Sequence, residues 1–88
     1  MDGHPQSVAD LGRDPAWQVS TTTDGRWVLA EREFRHGGHH WQIGLTPVAP
    51  GVAAVMLWRD GAVVEHARGT EAEACATAAT WQGRFASG

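Results

Sequence analysis

Lysine, asparagine and tyrosine are missing from this chain of 88 residues, and cysteine occurs once. Without lysine there is no amine nucleophile or Schiff base, and without tyrosine no phenolic acid. A single thiol, Cys75, excludes an intrachain disulfide. No apolar run approaches the roughly 20 residues that a membrane-spanning helix needs. The start, MDGHPQSVADLG, has neither the basic residues nor the apolar stretch of a secretory signal, so a cytoplasmic location is expected. Aliphatic bulk is also scarce, with one isoleucine and four leucines.

What stands in its place is tryptophan. Trp17, Trp27, Trp41, Trp58 and Trp81 must supply much of the buried area of a small core. A composition of 42% hydrophobic and 19% charged residues belongs to a folded chain rather than a disordered one, and this length allows one domain. The net charge is −3, and every basic residue is arginine. Four aspartates against Arg13 make the first 25 residues acidic, whereas Arg26, Arg32, Arg35, Arg59 and Arg68 crowd the middle. No segment forms a strongly basic patch.

Residues 1–15 hold Gly3, Pro5, Gly12 and Pro15 and read as a mobile N-terminal arm, with at most one helical turn from Ser7, stopped by Gly12. Residues 16–88 read as a single sheet-plus-helix domain. Trp17, Val19 and Thr21 alternate with polar residues until Asp24-Gly25, a two-residue hairpin turn. That turn sets Ser20 opposite Leu29, Val19 opposite Ala30 and Trp17 opposite Arg32. Residues 29–35 are largely good helix formers, but the preceding turn favours a strand. His39, Trp41, Ile43 and Leu45 give the cleanest alternation, closed by Pro47 and Pro50-Gly51. Val52 to Trp58 is apolar on both alternations, as in a central strand covered on both faces. Asp60-Gly61 makes a second hairpin, pairing Trp58 with Val63, Leu57 with Val64, Met56 with Glu65 and Val55 with His66.

Thr70-Glu-Ala-Glu73 is a capping box ahead of an alanine-rich helix, whose Ala74, Ala78, Trp81 and Phe85 share one face and which Gly83 would end early. The expected fold is α+β: an antiparallel four- to five-stranded β-meander followed by one C-terminal α-helix packed on one sheet face.

No residue set reads as catalytic. Ser7, Ser20 and Ser87 fall in a mobile start, a strand and a frayed end, no glycine-rich phosphate loop leads into a helix, and Cys75 reads as a packing residue. The pair Glu31 and Glu33 reads as a solvated strand face. No enzyme activity and no cofactor are expected. One helix covers only part of one sheet face, so Trp27 and Leu29, with Arg26 and Arg32 beside them, are candidate contacts for a protein partner or a second copy of the chain. A sheet can also enter a nucleic-acid groove, for which Arg26, Arg35 and Arg59 are the candidates, although the acidic balance opposes it. His36, His39 and His40 around Gly37-Gly38 are candidate metal ligands, and His66 reads as a half-buried strand residue beside Val55. No membrane partner is expected.

Overall fold

Strands joined by tight turns at Gly37-Gly38, Pro50-Gly51 and Asp60-Gly61 leave each strand its sequence neighbour as the nearest pairing partner, and a meander is the outcome. The computed structural model describes residues 7–23 and 28–86. Five strands, β1 (Gln18–Thr21), β2 (Val28–His36), β3 (His39–Ala49), β4 (Val52–Arg59) and β5 (Ala62–Thr70), pair antiparallel in chain order, and helix α1 (Glu71–Ala86) follows. No helix among the described residues is long and apolar enough to cross a membrane.

β1 and β2 pair Ser20 with Leu29 and Val19 with Ala30, the register expected from the sequence, while Asp24 and Gly25 lie outside the described residues. Residues 28–36 are strand despite the helical propensity of residues 29–35, because β1 pairs with Val28 to Glu31 and β3 with Ala30 to His36. β3 does not stop at Pro47. It continues to Ala49 across an irregularity in the ladder between Pro47 and Ala49, where a residue without an N–H is tolerated.

The second hairpin turns at Asp60 (φ 51°) and Gly61 (φ 87°), as Asp-Gly requires. Trp58 pairs with Val63 as expected, but Leu57 then pairs with Glu65, Met56 with His66 and Val55 with Ala67. Val64 is a β-bulge, and every residue after it moves to the other face. The shift has a packing reason: it turns the small Ala67 and Gly69 toward α1 and sends His66 and Arg68 outward. His66 is therefore exposed beside Met56, not half-buried beside Val55.

The core lies between one sheet face and α1. Ile43, Leu45, Val55 and Leu57 are fully buried against Ala74, Ala78 and Trp81, each large side chain contributing roughly 1.5–3 kcal/mol. Alanines in the first turns of α1 allow close approach, and Trp81 fills the wider end. The capping box is formed: the Thr70 N–H donates to Glu73 Oε1 (2.8 Å) and the Glu73 N–H to Thr70 Oγ1 (3.1 Å). Gly83 does not end the helix, which runs on to Ala86 and brings Phe85 against Trp41 and Phe34.

The segment before Pro15 also joins the core. Ala9–Arg13 forms a 3-10 turn started by Ser7, whose Oγ accepts from the Asp10 N–H, and it seats Val8 and Leu11 among the buried residues. The Val8 N–H donates to Glu71 Oε1 at 3.0 Å, tying this turn to the start of α1. Two apolar side chains in a polar stretch are weak sequence signals, yet they close the end of the core beside Trp17 that α1 leaves open.

Candidate interaction face

With α1 and the N-terminal turn on one side, the other side of the sheet has no covering element among the described residues. Strand alternation places Leu29, Ala54, Met56 and Trp58 there, all half-buried. Among the described residues, β4 is accordingly covered on one face only. Ala53, Val55 and Leu57 are at most 1% exposed, while the alternate residues Val52, Ala54, Met56 and Trp58 remain partly open.

The face is ordered in rows across the strands. One row runs Gln18, Glu31, Gly44, Met56, His66. The next runs Glu33, Gln42, Trp58, Val63, and Val63 is 49% exposed. Gly44 is the low point: a Cβ there would stand 2.8 Å from Trp58 Cζ3, so the indole lies over the glycine. The apolar centre is flanked on β2 by the acids Glu31 and Glu33, with Arg35 beyond them toward the Gly37-Gly38 turn, and on β5 by His66 and Arg68. Glu31 accepts from Gln42 Nε2 (3.2 Å), and Glu33 Oε1 meets His40 Nε2 (2.7 Å).

Of the residues singled out from sequence for partner binding, Leu29 lies on this face. Arg32 does not: it projects to the helix side, where its guanidinium donates to Gln82 Oε1. Trp27 and Arg26 lie outside the described residues. Met56, Trp58 and Gly44 escape the sequence reading as contacts, and His66 is expected from sequence to be half-buried beside Val55 rather than on this face. A glycine inside an otherwise regular strand was the available sign of a close approach, whereas the bulge that exposes His66 and Arg68 leaves none.

The arginines considered for nucleic acid divide between surfaces. Arg35 pairs with His40 and faces the open side, Arg59 pairs with Trp41 on the helix side, and Arg26 is outside the described residues. The histidine turn divides too. His39 Nδ1 meets Asp60 Oδ2 at 2.7 Å, His40 turns to Glu33 on the other face, and the His36 ring packs edge-on against Phe85. No group of three metal-ligating side chains occurs among the described residues. Asp60 is held below the usual carboxylate range, first by the His40 backbone N–H and then by the His39 side chain. Cys75 is 3% exposed, and burial, with smaller contributions from Glu71 and Asp10, pushes its thiol up to about 11. A thiol in that state is protonated at neutral pH and a poor nucleophile.

No family model, curated protein or solved structure matches the chain.

Proposed function

We propose that this chain is a non-enzymatic protein-interaction domain whose partner is a second copy of itself, docked through the open sheet face. The observation that carries this reading is the order of the row through Glu31, Gly44, Met56 and His66 on that face, acid on β2, apolar in the centre and base on β5. A two-fold axis parallel to the central strands lays β2 of one copy over β5 of the other and β3 over β4. Rows then meet themselves: Glu31 lies over His66 of the second copy, with Arg68 one row along, and Met56 lies over Gly44. An axis across the strands would set acid on acid. The Glu31 row is self-complementary in the first orientation, whereas the second brings Glu33 against a carboxylate of the other copy, which is how charge selects geometry in an interface. Two sheets stacked this way bury Leu29, Ala54, Met56 and Trp58 at a spacing of about 10 Å.

A nucleic-acid role has less support, because Arg35 and Arg59 do not share a surface and carboxylates occupy the open face. Metal binding by His36, His39 and His40 has less support for the same reason of divided placement.

Sedimentation velocity tests the reading. The expected result is a dimer that Met56→Glu converts to a monomer with unchanged helix and sheet content. Glu31→Arg weakens it, and adding His66→Glu restores it. A monomeric mass at every concentration overturns the proposal, as does a dimer indifferent to Met56→Glu.

A further inference from the structure

β1 is too short for its neighbour. Its last partner along β2 is Glu31, opposite Gln18, so β2 from Arg32 to His36 has β3 on one side and no strand on the other among the described residues. Alternation decides which backbone groups this leaves open. Across the two-residue Gly37-Gly38 turn, His36 and His39 form the hydrogen-bonded pair that flanks such a turn, so His36, Phe34 and Arg32 turn their N–H and C=O toward β3. Glu33 and Arg35 turn theirs outward.

Directly beside this margin, on the helix side, lies a groove of about 270 Å³ between β2 and the last turns of α1. Its floor is Phe34 and Phe85, whose ring centroids are 5.0 Å apart, and Arg32, Arg35 and His36 stand around it. Among the described residues no carboxylate meets Arg32 or Arg35 within salt-bridge distance; Arg32 is bonded only to the neutral amide of Gln82. Glu33, the nearest acid on the strand, is engaged by His40.

We propose that the β2 margin is a second docking site, separate from the open face, that takes an extended acidic peptide as a sixth strand. The peptide backbone pairs with Glu33 and Arg35, as in strand addition generally. Its alternate side chains fall on the helix side, where one apolar residue enters the groove over Phe34 and Phe85. Carboxylates two positions to either side meet Arg32 and His36, while a carboxylate on the other face reaches Arg35. The groove holds one medium-sized side chain, and the charge around it selects acidic neighbours over basic ones.

The test uses a capped, fluorescein-labelled peptide with one leucine flanked on each side by two aspartates, titrated into the full chain and read by fluorescence polarisation, with amide shifts followed by NMR. Saturable binding is expected, with shifts centred on residues 32–36 and 82–85. Replacing aspartate by lysine in the peptide abolishes it. N-methylation of alternate peptide amides weakens it by about tenfold or more, through loss of ladder hydrogen bonds. Arg35→Pro, which removes an outward N–H from an edge strand, has the same effect, and Arg35→Glu, which keeps that N–H, weakens binding through charge. The proposal is overturned by absence of binding, by equal affinity for the lysine peptide, by indifference to N-methylation, or by shifts on Met56 and Trp58 instead. A rise in the protein's own mass abolished by Arg35→Pro also overturns it, in favour of pairing between copies at this margin.

Discussion

The indole of Trp58 lies over the backbone of Gly44, so close that a Cβ at residue 44 would stand 2.8 Å from Cζ3 of the ring. Gly44→Ala therefore forces the ring to move, although it adds only one methyl group. A loss of about 1–3 kcal/mol is expected in urea unfolding. Trp58→Leu combined with Gly44→Ala should lose less than the two single changes together, because the clash is the coupling.

The tryptophans separate by position. Trp81 is 4% exposed between α1 and the sheet, and Trp81→Ala should destabilise by about 3–5 kcal/mol. Trp41 is half-buried, stacked near Phe85 at 4.6 Å and donating from Nε1 to the His36 carbonyl; Trp41→Ala should fall below Trp81→Ala. Thermal melts of the two variants rank them, and an equal loss would mean that Trp41 carries more of the core than its exposure implies.

The N-terminal turn is a stability element. Leu11→Ala removes a side chain that is 3% exposed and should destabilise by about 2–5 kcal/mol, measured by denaturant unfolding. A change under half a kcal/mol would mean that the turn contributes little to holding the fold.

At the start of α1, Thr70→Ala breaks one half of the capping box and should destabilise by about 1 kcal/mol, while Thr70→Ser retains the acceptor and leaves stability nearly unchanged. Chemical denaturation of the pair separates loss of the cap from loss of the methyl group.

Cys75 gives a pH prediction. Burial raises its folded pKa from 9.0 to about 11, so the unfolded chain loses the thiol proton first. The stability this contributes is fully present below pH 9 and is lost as pH rises toward 11. Unfolding midpoints across that range should fall less steeply for Cys75→Ala than for the parent chain. Alkylation by iodoacetamide at pH 8 should be slow until denaturant is added.

The sequence carries the fold well because its local signals agree. The turn expected at Asp24-Gly25 gives the register of β1 with β2, Asp60-Gly61 sets the last hairpin, alternation sets β3, and Thr70 to Glu73 sets the start of α1. What it hides is tertiary. The bulge at Val64 answers the need to present Ala67 and Gly69 to a helix that comes later in the chain, so no residue near it announces the shift. Val8 and Leu11 enter the core because α1 is too narrow to close it, a fact of packing and not of pattern. On the candidate face, Leu29 and the Glu31–Glu33 pair follow from alternation, whereas the basic flank of His66 and Arg68 depends on the bulge and stays invisible.

The same bulge makes the two margins of the sheet unequal. A fibre grows only when each unit offers a receiving margin and a matching donor. β5 carries the bulge at Val64 and the long charged side chain of Arg68, so it makes a poor flat template for another strand. Anything that adds beside β2 thus meets a sheet already terminated on its far side. Growth by successive strand addition stops after one step, and a chain rich in β-structure and tryptophan gains a geometric barrier to aggregation that its low net charge alone would not provide.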